Sequence, residues 1–204
     1  MPLSSETYEF IKKKYGLHAS WAVWPEIGDT PKSNMDDLSI FQGNEILEIL
    51  NPNIVLVGLN FSKDDVIHEP FQNFHGLGGG AYKIRYALID TPIWGAYMTD
   101  IIKDFPEEES KNVMQYLKNN QSYVLENVES FQQELIDIGA VNPTIIAFGG
   151  DAYNILNKHL GSAFRIIKTM HYSHYISKEN YRDRLKEINT SITTFPPKEE
   201  RNLP

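Results

Sequence analysis

The chain has 204 residues, enough for one domain to bury a full core, and its 41% apolar and 23% charged content is that of a globular protein. With no Cys, it has no disulfide framework, no thiol nucleophile and no Cys-held metal or iron–sulfur cluster. A net charge of −8 argues against non-specific coating of nucleic acid, and no apolar run approaches the roughly 18 residues of a membrane span.

In chain order, a helix is expected from Ser4-Ser5 to Tyr15. Trp21 to Ser39 reads as a loop punctuated by Pro25, Gly28 and Pro31. A short helix over Gly43 to Leu50 is broken by Asn51-Pro52-Asn53. Ile54-Val55-Leu56-Val57-Gly58-Leu59 is an unbroken apolar run bounded by turn residues, as expected of a strand buried on both faces. A polar, aromatic loop (60–80) precedes a helix from Ala81 to Ile89. Trp94 to Ile102 predicts the second strand, and Pro106-Glu107-Glu108-Glu109 opens an acidic helical region.

Val124, Val128, Phe131, Leu135 and Ile138 recur at helical spacing, with Ser122 as the expected N-cap. Thr144 to Phe148 is the third strand. Gly149-Gly150-Asp151 turns it into a helix reaching Leu160, Phe164 to Met170 is the fourth strand, and a last helix runs from Ser177 or Lys178 to Ile188. The pattern predicts one domain over 1–192 and a flexible tail over 193–204. The start of the chain lacks a basic stretch followed by an apolar one, so the expectation is a cytoplasmic protein, read as a monomer.

Strands alternating with helices predict an α/β fold, a three-layer α/β/α sandwich around a central four-stranded parallel sheet. Ligands of such sheets bind beyond the carboxyl ends of the strands. That rule selects Asn60-Phe61-Ser62, Asp100, Gly149-Gly150-Asp151 and His171-Tyr172-Ser173-His174. Charge is unevenly spread. From Asp104 to Asp137 eight acids face two lysines, whereas from Lys158 to Lys186 seven bases face two acids. The basic stretch suits either phosphate contact or an ordinary solvated surface.

In this order the segments resemble the motifs of the uracil-DNA glycosylase superfamily, over about Ile54 to Arg184. Gly58-Leu59-Asn60-Phe61-Ser62 is similar to the first motif, Gly-x-Asp/Asn/Ala, usually followed by Pro. Phe74-His75-Gly76-Leu77-Gly78-Gly79-Gly80 resembles the aromatic base platform and its Gly-containing helix entry. Tyr97 to Pro106 looks like the strand ending in Thr-Asn, with Asp100 where that family has Asn. His171-Tyr172-Ser173-His174 resembles the final His-Pro-Ser motif, with Tyr172 in place of Pro.

The resemblance implies a DNA glycosylase-like protein that binds a flipped base and hydrolyses its N-glycosidic bond without metal or cofactor. It implies catalytic roles for Asn60, positioning water, and His171, stabilising the departing base anion. Gly58, Leu59, Phe61, Phe74 and Asp100 would line the base site, and Ser62, Ser173, His174 and Tyr175 would meet phosphates or DNA. The partner implied is DNA, reached through region 158–186, or a nucleoside-like small molecule, with no membrane. An ionised Asp100 only accepts hydrogen bonds and mismatches uracil O4.

Each position also has a plainer reading. Asn60 suits a turn, Phe74 a core, Asp100 a cap, and His171 with His174 is a weak metal pair. The functional alternatives are a catalytically silent base- or partner-binding member of the same fold, and an unrelated hydrolase or transferase on a flavodoxin-like sheet.

Overall fold

A computed structural model describes residues 3–61, 67–78 and 80–194. Its centre is a five-stranded sheet in the order β1-β3-β2-β4-β5, formed by β1 (Ser20–Trp21), β2 (Asn51–Asn60), β3 (Ala96–Ile102), β4 (Thr144–Phe148) and β5 (Arg165–Thr169). Four strands run parallel, and β1 joins antiparallel at the edge of β3. The expected four-stranded sheet therefore gains a fifth strand. Two residues are too short for a period to show. Trp21 holds that edge by burying its ring edge-on to Tyr97, with centroids 4.9 Å apart.

The helices are α1 (Ser5–Tyr15), α2 (Tyr82–Leu88), α3 (Ser110–Asn119), α4 (Gln121–Asp137), α5 (Gly150–Leu160) and α6 (Lys178–Thr194). From β2 the chain winds one way through α2 to β3. It then crosses back to β4 and continues the other way through α5 to β5. Opposite winding directions of one hand put crossover helices on opposite faces. Accordingly α1, α3, α4 and α5 share one core with Val55, Val57, Tyr97 and Ile145, while α2 and α6 share the other with Leu56, Met98, Ile146 and Phe148. The reversal occurs around central β2, so a crevice opens at the carboxyl ends of the strands there.

Local chemistry explains most boundaries. Ser4 caps α1, its hydroxyl accepting from the Thr7 amide at 3.1 Å. Ser177 does the same for α6, accepting from the Asn180 amide at 3.2 Å. Ser122 does not cap α4. Asn120 is the boundary residue, because α3 runs almost directly into α4 and leaves no extended residue at Ser122. The segment expected as one short helix near Gly43 is a pair of 3₁₀ turns, Ser39–Gln42 and Asn44–Glu48. The last helix continues to Thr194, beyond Ile188 and two residues into the expected tail, whose remainder lies outside the described residues. Among the described residues no helix is long and apolar enough to cross a membrane.

Candidate functional site

A cavity of about 720 Å³ opens at the carboxyl edge of the sheet. Leu59, Asn60 and Phe61 enter it from the end of β2, and Asp100 from β3. Asn73, Phe74 and His75 come from the loop before α2, Phe148 to Ala152 from the β4–α5 turn, and His171 to His174 from the loop after β5. The structure thus brings together Leu59, Asn60, Phe61, Phe74, Asp100, His171, Ser173 and His174. Gly58 lies beneath Asp100 rather than on the wall. Tyr175 stands fully exposed outside the cavity. Ser62 lies outside the described residues.

His171 is fixed by its own loop. The Ser173 amide donates to Nδ1 at 3.2 Å, and the Ser173 hydroxyl is 2.7 Å from the same nitrogen. An amide N–H can only donate, so Nδ1 is the acceptor and the proton of the neutral ring sits on Nε2. Burial, then the neighbouring His174, pulls the imidazole down to a pKa of about 4. At neutral pH His171 is therefore an uncharged N–H donor. Its ring stacks on Tyr172 at 4.3 Å, and Phe148 meets both rings edge-on.

The loop carrying His171 is clamped from α2. Lys83 reaches through the fold and donates from Nζ to the carbonyls of Tyr172 at 3.1 Å and His174 at 2.8 Å. Only 8% of Lys83 is exposed, so its methylenes pack while its ammonium organises the loop.

Asp100 is buried, and its carboxylate takes one hydrogen bond from a described residue, Asn73 Nδ2 to Oδ2 at 3.3 Å. Burial pushes its pKa up to about 6. Lys103 and the Asn73 bond oppose that rise, and Glu134 adds to it. Asn73 is fully engaged, since Nδ2 also donates to the His18 carbonyl at 2.8 Å and Oδ1 accepts from the Phe74 amide at 3.0 Å.

The Asn73 loop is strained. Phe71 and Phe74 hold φ values of 68° and 67°, a region that disfavours bulky side chains by about 1–2 kcal/mol each. Phe71 is anchored by its amide to Gly16 O at 2.6 Å and by Ser20 Oγ to its carbonyl at 2.8 Å, and packs between Tyr8 and Phe41. His75 is buried and pushed down to about 3, chiefly by desolvation, so its neutral ring donates from Nε2 to Trp21 O at 3.2 Å. Outliers of this kind concentrate at ligand sites, where the surrounding structure holds them.

Asn60 behaves differently from a free polar side chain. Its Nδ2 lies 3.0 Å from Phe61 O, 2.9 Å from Phe105 O and 2.9 Å from Glu107 O. The amide staples the β2 and β3 exits together, and the atom left for a ligand or water is Oδ1, an acceptor. Opposite it, Gly149 turns the chain at φ 89° and lets α5 start at the cavity wall. Gly150 to Ala152, in the first turn of α5, line the same space, and the N-terminal turn of a helix carries partial positive charge.

No pattern in the sequence marks Asn73 or Lys83 as site residues. Asn73 adjoins Phe74 and carries only the signal of one of two polar residues between Phe71 and Phe74. Lys83 lies ten residues further on, within a helix that reads as an ordinary amphipathic one. Among the described residues no three His, Asp or Glu side chains cluster as metal ligands. No protein-family model, no curated protein and no solved structure matches the chain, so the chemistry of the cavity rests on its own geometry.

Proposed function

We propose that the chain is a divergent relative of the uracil-DNA glycosylase superfamily, with a glycosylase-like sandwich whose cavity takes a base swung out of DNA and hydrolyses its N-glycosidic bond. The observation that carries this reading is convergence. Asn60, Phe74, Asp100 and His171 leave four different segments and line one cavity. Cleavage builds negative charge on the departing base. A neutral imidazole with its proton on Nε2 is the donor such an anion needs, and its fixed Nδ1 keeps it aimed. Phe74, Phe148 and Tyr172 supply aromatic walls for a flat ring. Asn60 Oδ1 is the acceptor that would orient water.

DNA contact in this reading falls to the loop after β5 and to region 158–186. Tyr175 is available to stack, and the cations of Lys178 and Arg182 lie over the Tyr86 ring at 4.6 and 5.4 Å. The test is release of base from oligonucleotides carrying uracil, hypoxanthine, xanthine or a G·T mismatch. Release that falls about 10²–10³-fold in His171→Ala, and also falls in Asn60→Ala, supports the mechanism. Unchanged rates in both variants overturn it.

One observation favours a second reading, a catalytically silent base-binding module. The Asn60 amide hydrogens are engaged by backbone carbonyls, as in a structural staple. Binding of base or nucleoside without turnover, surviving His171→Ala, would identify that case.

A further inference from the structure

Resting on the reading that the cavity holds a nucleobase, we propose that Asp100 selects bases presenting two adjacent N–H donors, the 2-amino-6-oxopurine edge of guanine, over the acceptor-flanked edge of uracil. The carboxylate has two oxygens and about four acceptor sites. Among the described residues one of those sites is filled, by the long bond from Asn73. Asn73 cannot turn to serve a ligand instead, because its amide and carbonyl are both engaged.

Nor does Lys103 neutralise the group directly. Its Nζ binds Glu134 Oε2 at 2.7 Å, Thr99 Oγ1 at 2.8 Å and the Asp100 backbone carbonyl at 2.9 Å. What remains at the cavity is a buried carboxylate short of donors. Such a group attracts paired N–H donors and repels a carbonyl oxygen. Guanine offers N1–H and the 2-amino group side by side, at the spacing of two carboxylate oxygens. Uracil would bring O4 or O2 against the same charge.

The groups bearing on the charge of Asp100 are few. Among the described residues they are Asn73 from the loop before α2, Lys103 just past the end of β3, Glu134 from α4 and the Tyr172 phenol from the loop after β5. With its pKa near 6, Asp100 is mostly ionised at pH 7 and mostly protonated at pH 5. A carboxylic acid pairs instead with an amidine edge, as in adenine or cytosine.

The experiment is calorimetric titration of the full chain with guanosine, inosine, uridine, adenosine and cytidine at pH 7 and pH 5. Guanosine is expected to bind about 10- to 100-fold more tightly than inosine or uridine at pH 7. It is expected to lose roughly tenfold at pH 5. Asp100→Asn should level the guanosine preference and flatten its pH dependence with the circular dichroism unchanged. The inosine comparison and the pH profile need no variant, so a misfolded variant leaves the test intact. Equal or tighter binding of inosine or uridine overturns the proposal and leaves the base-pocket reading standing. So does a preference for adenosine or cytidine at pH 7, or a guanosine preference that survives in Asp100→Asn. Failure of every nucleoside to bind overturns both.

Discussion

The carboxylate of Asp100 lies directly on the α-carbon of Gly58, its register partner on the neighbouring parallel strand, so that a methyl group at Gly58 would collide with Oδ1. Glycine is needed there for room rather than for an unusual backbone angle. Gly58→Ala is therefore expected to push Asp100 off its seat or spread β2 from β3, at about 1–3 kcal/mol of stability. Urea unfolding checks this. A companion Gly58→Ala/Asp100→Ala variant should recover part of the loss, because it removes the atom that the methyl group meets. Failure of the double variant to recover would show the strain lies elsewhere.

Behind Asp100, on the other face of β3, sits a buried ionic knot. Glu134 is fully buried, accepts from the Tyr97 hydroxyl at 2.7 Å and the Thr99 hydroxyl at 3.0 Å, and pairs with Lys103 at 2.7 Å. Removing one partner strands the other charge in a low-dielectric core. Lys103→Met should cost about 3–5 kcal/mol by urea denaturation. Lys103→Met with Glu134→Leu should cost less than the single change, yet not return to wild type, since the Tyr97 and Thr99 hydroxyls lose their acceptor. A single variant within experimental error of wild type would mean that the knot contributes nothing.

The sheet was legible because its central strands are buried on both sides. Ile54 to Leu59 and Ile145 to Phe148 are unbroken apolar runs, and burial on two faces leaves no polar position to blur them. The location of the site followed from topology, since segments at the carboxyl ends of parallel strands must meet near the switch point. Contacts between residues remote in sequence left no local mark. Asn73 meets Asp100 across 27 residues and Lys83 meets the 172–174 carbonyls across about 90. Asn60 was readable as a polar residue at a strand end. That its amide would be engaged by the carbonyls of Phe105 and Glu107, on a loop 45 residues later, was not readable.

Asn73 is the hinge pin of the strained loop. Asn73→Ala removes the donor to Asp100, the donor to His18 O and the acceptor for the Phe74 amide at once. The expected loss is about 1–3 kcal/mol, the cost of leaving buried polar groups unpaired. A second readout separates positioning from mere destabilisation. With the Asn73 hydrogen bond gone, the Asp100 carboxyl should titrate higher than in wild type, as followed by NMR of the carboxyl carbon. An unmoved titration would show that Asn73 does not hold the carboxylate.

Asp100 acts on stability with the opposite sign to His75 and His171. Asp100 has a folded pKa of about 6, above the ordinary carboxylate value, so the native state binds its proton more readily than the unfolded chain does. Its burial costs stability above pH 6, and that cost disappears as pH falls through 6 toward 4. His75 and His171 have folded values of about 3 and about 4, below the ordinary imidazole value. The unfolded chain takes up their protons first, so their contribution is intact above pH 6.5 and is lost as pH falls below it. Near pH 5 the two histidines together favour unfolding by about 2.5 kcal/mol per unit of acidification, while Asp100 offsets about 1.1 kcal/mol per unit. The wild-type protein should therefore lose stability on acidification with a net slope of about 1.4 kcal/mol per unit from these groups. Asp100→Asn should be more stable at pH 7, where it removes a buried charge, and should lose stability more steeply between pH 6 and pH 4.5. Chemical denaturation across that range measures both slopes. A variant with an unchanged slope would mean that Asp100 titrates as an ordinary surface carboxylate and that burial does not raise it.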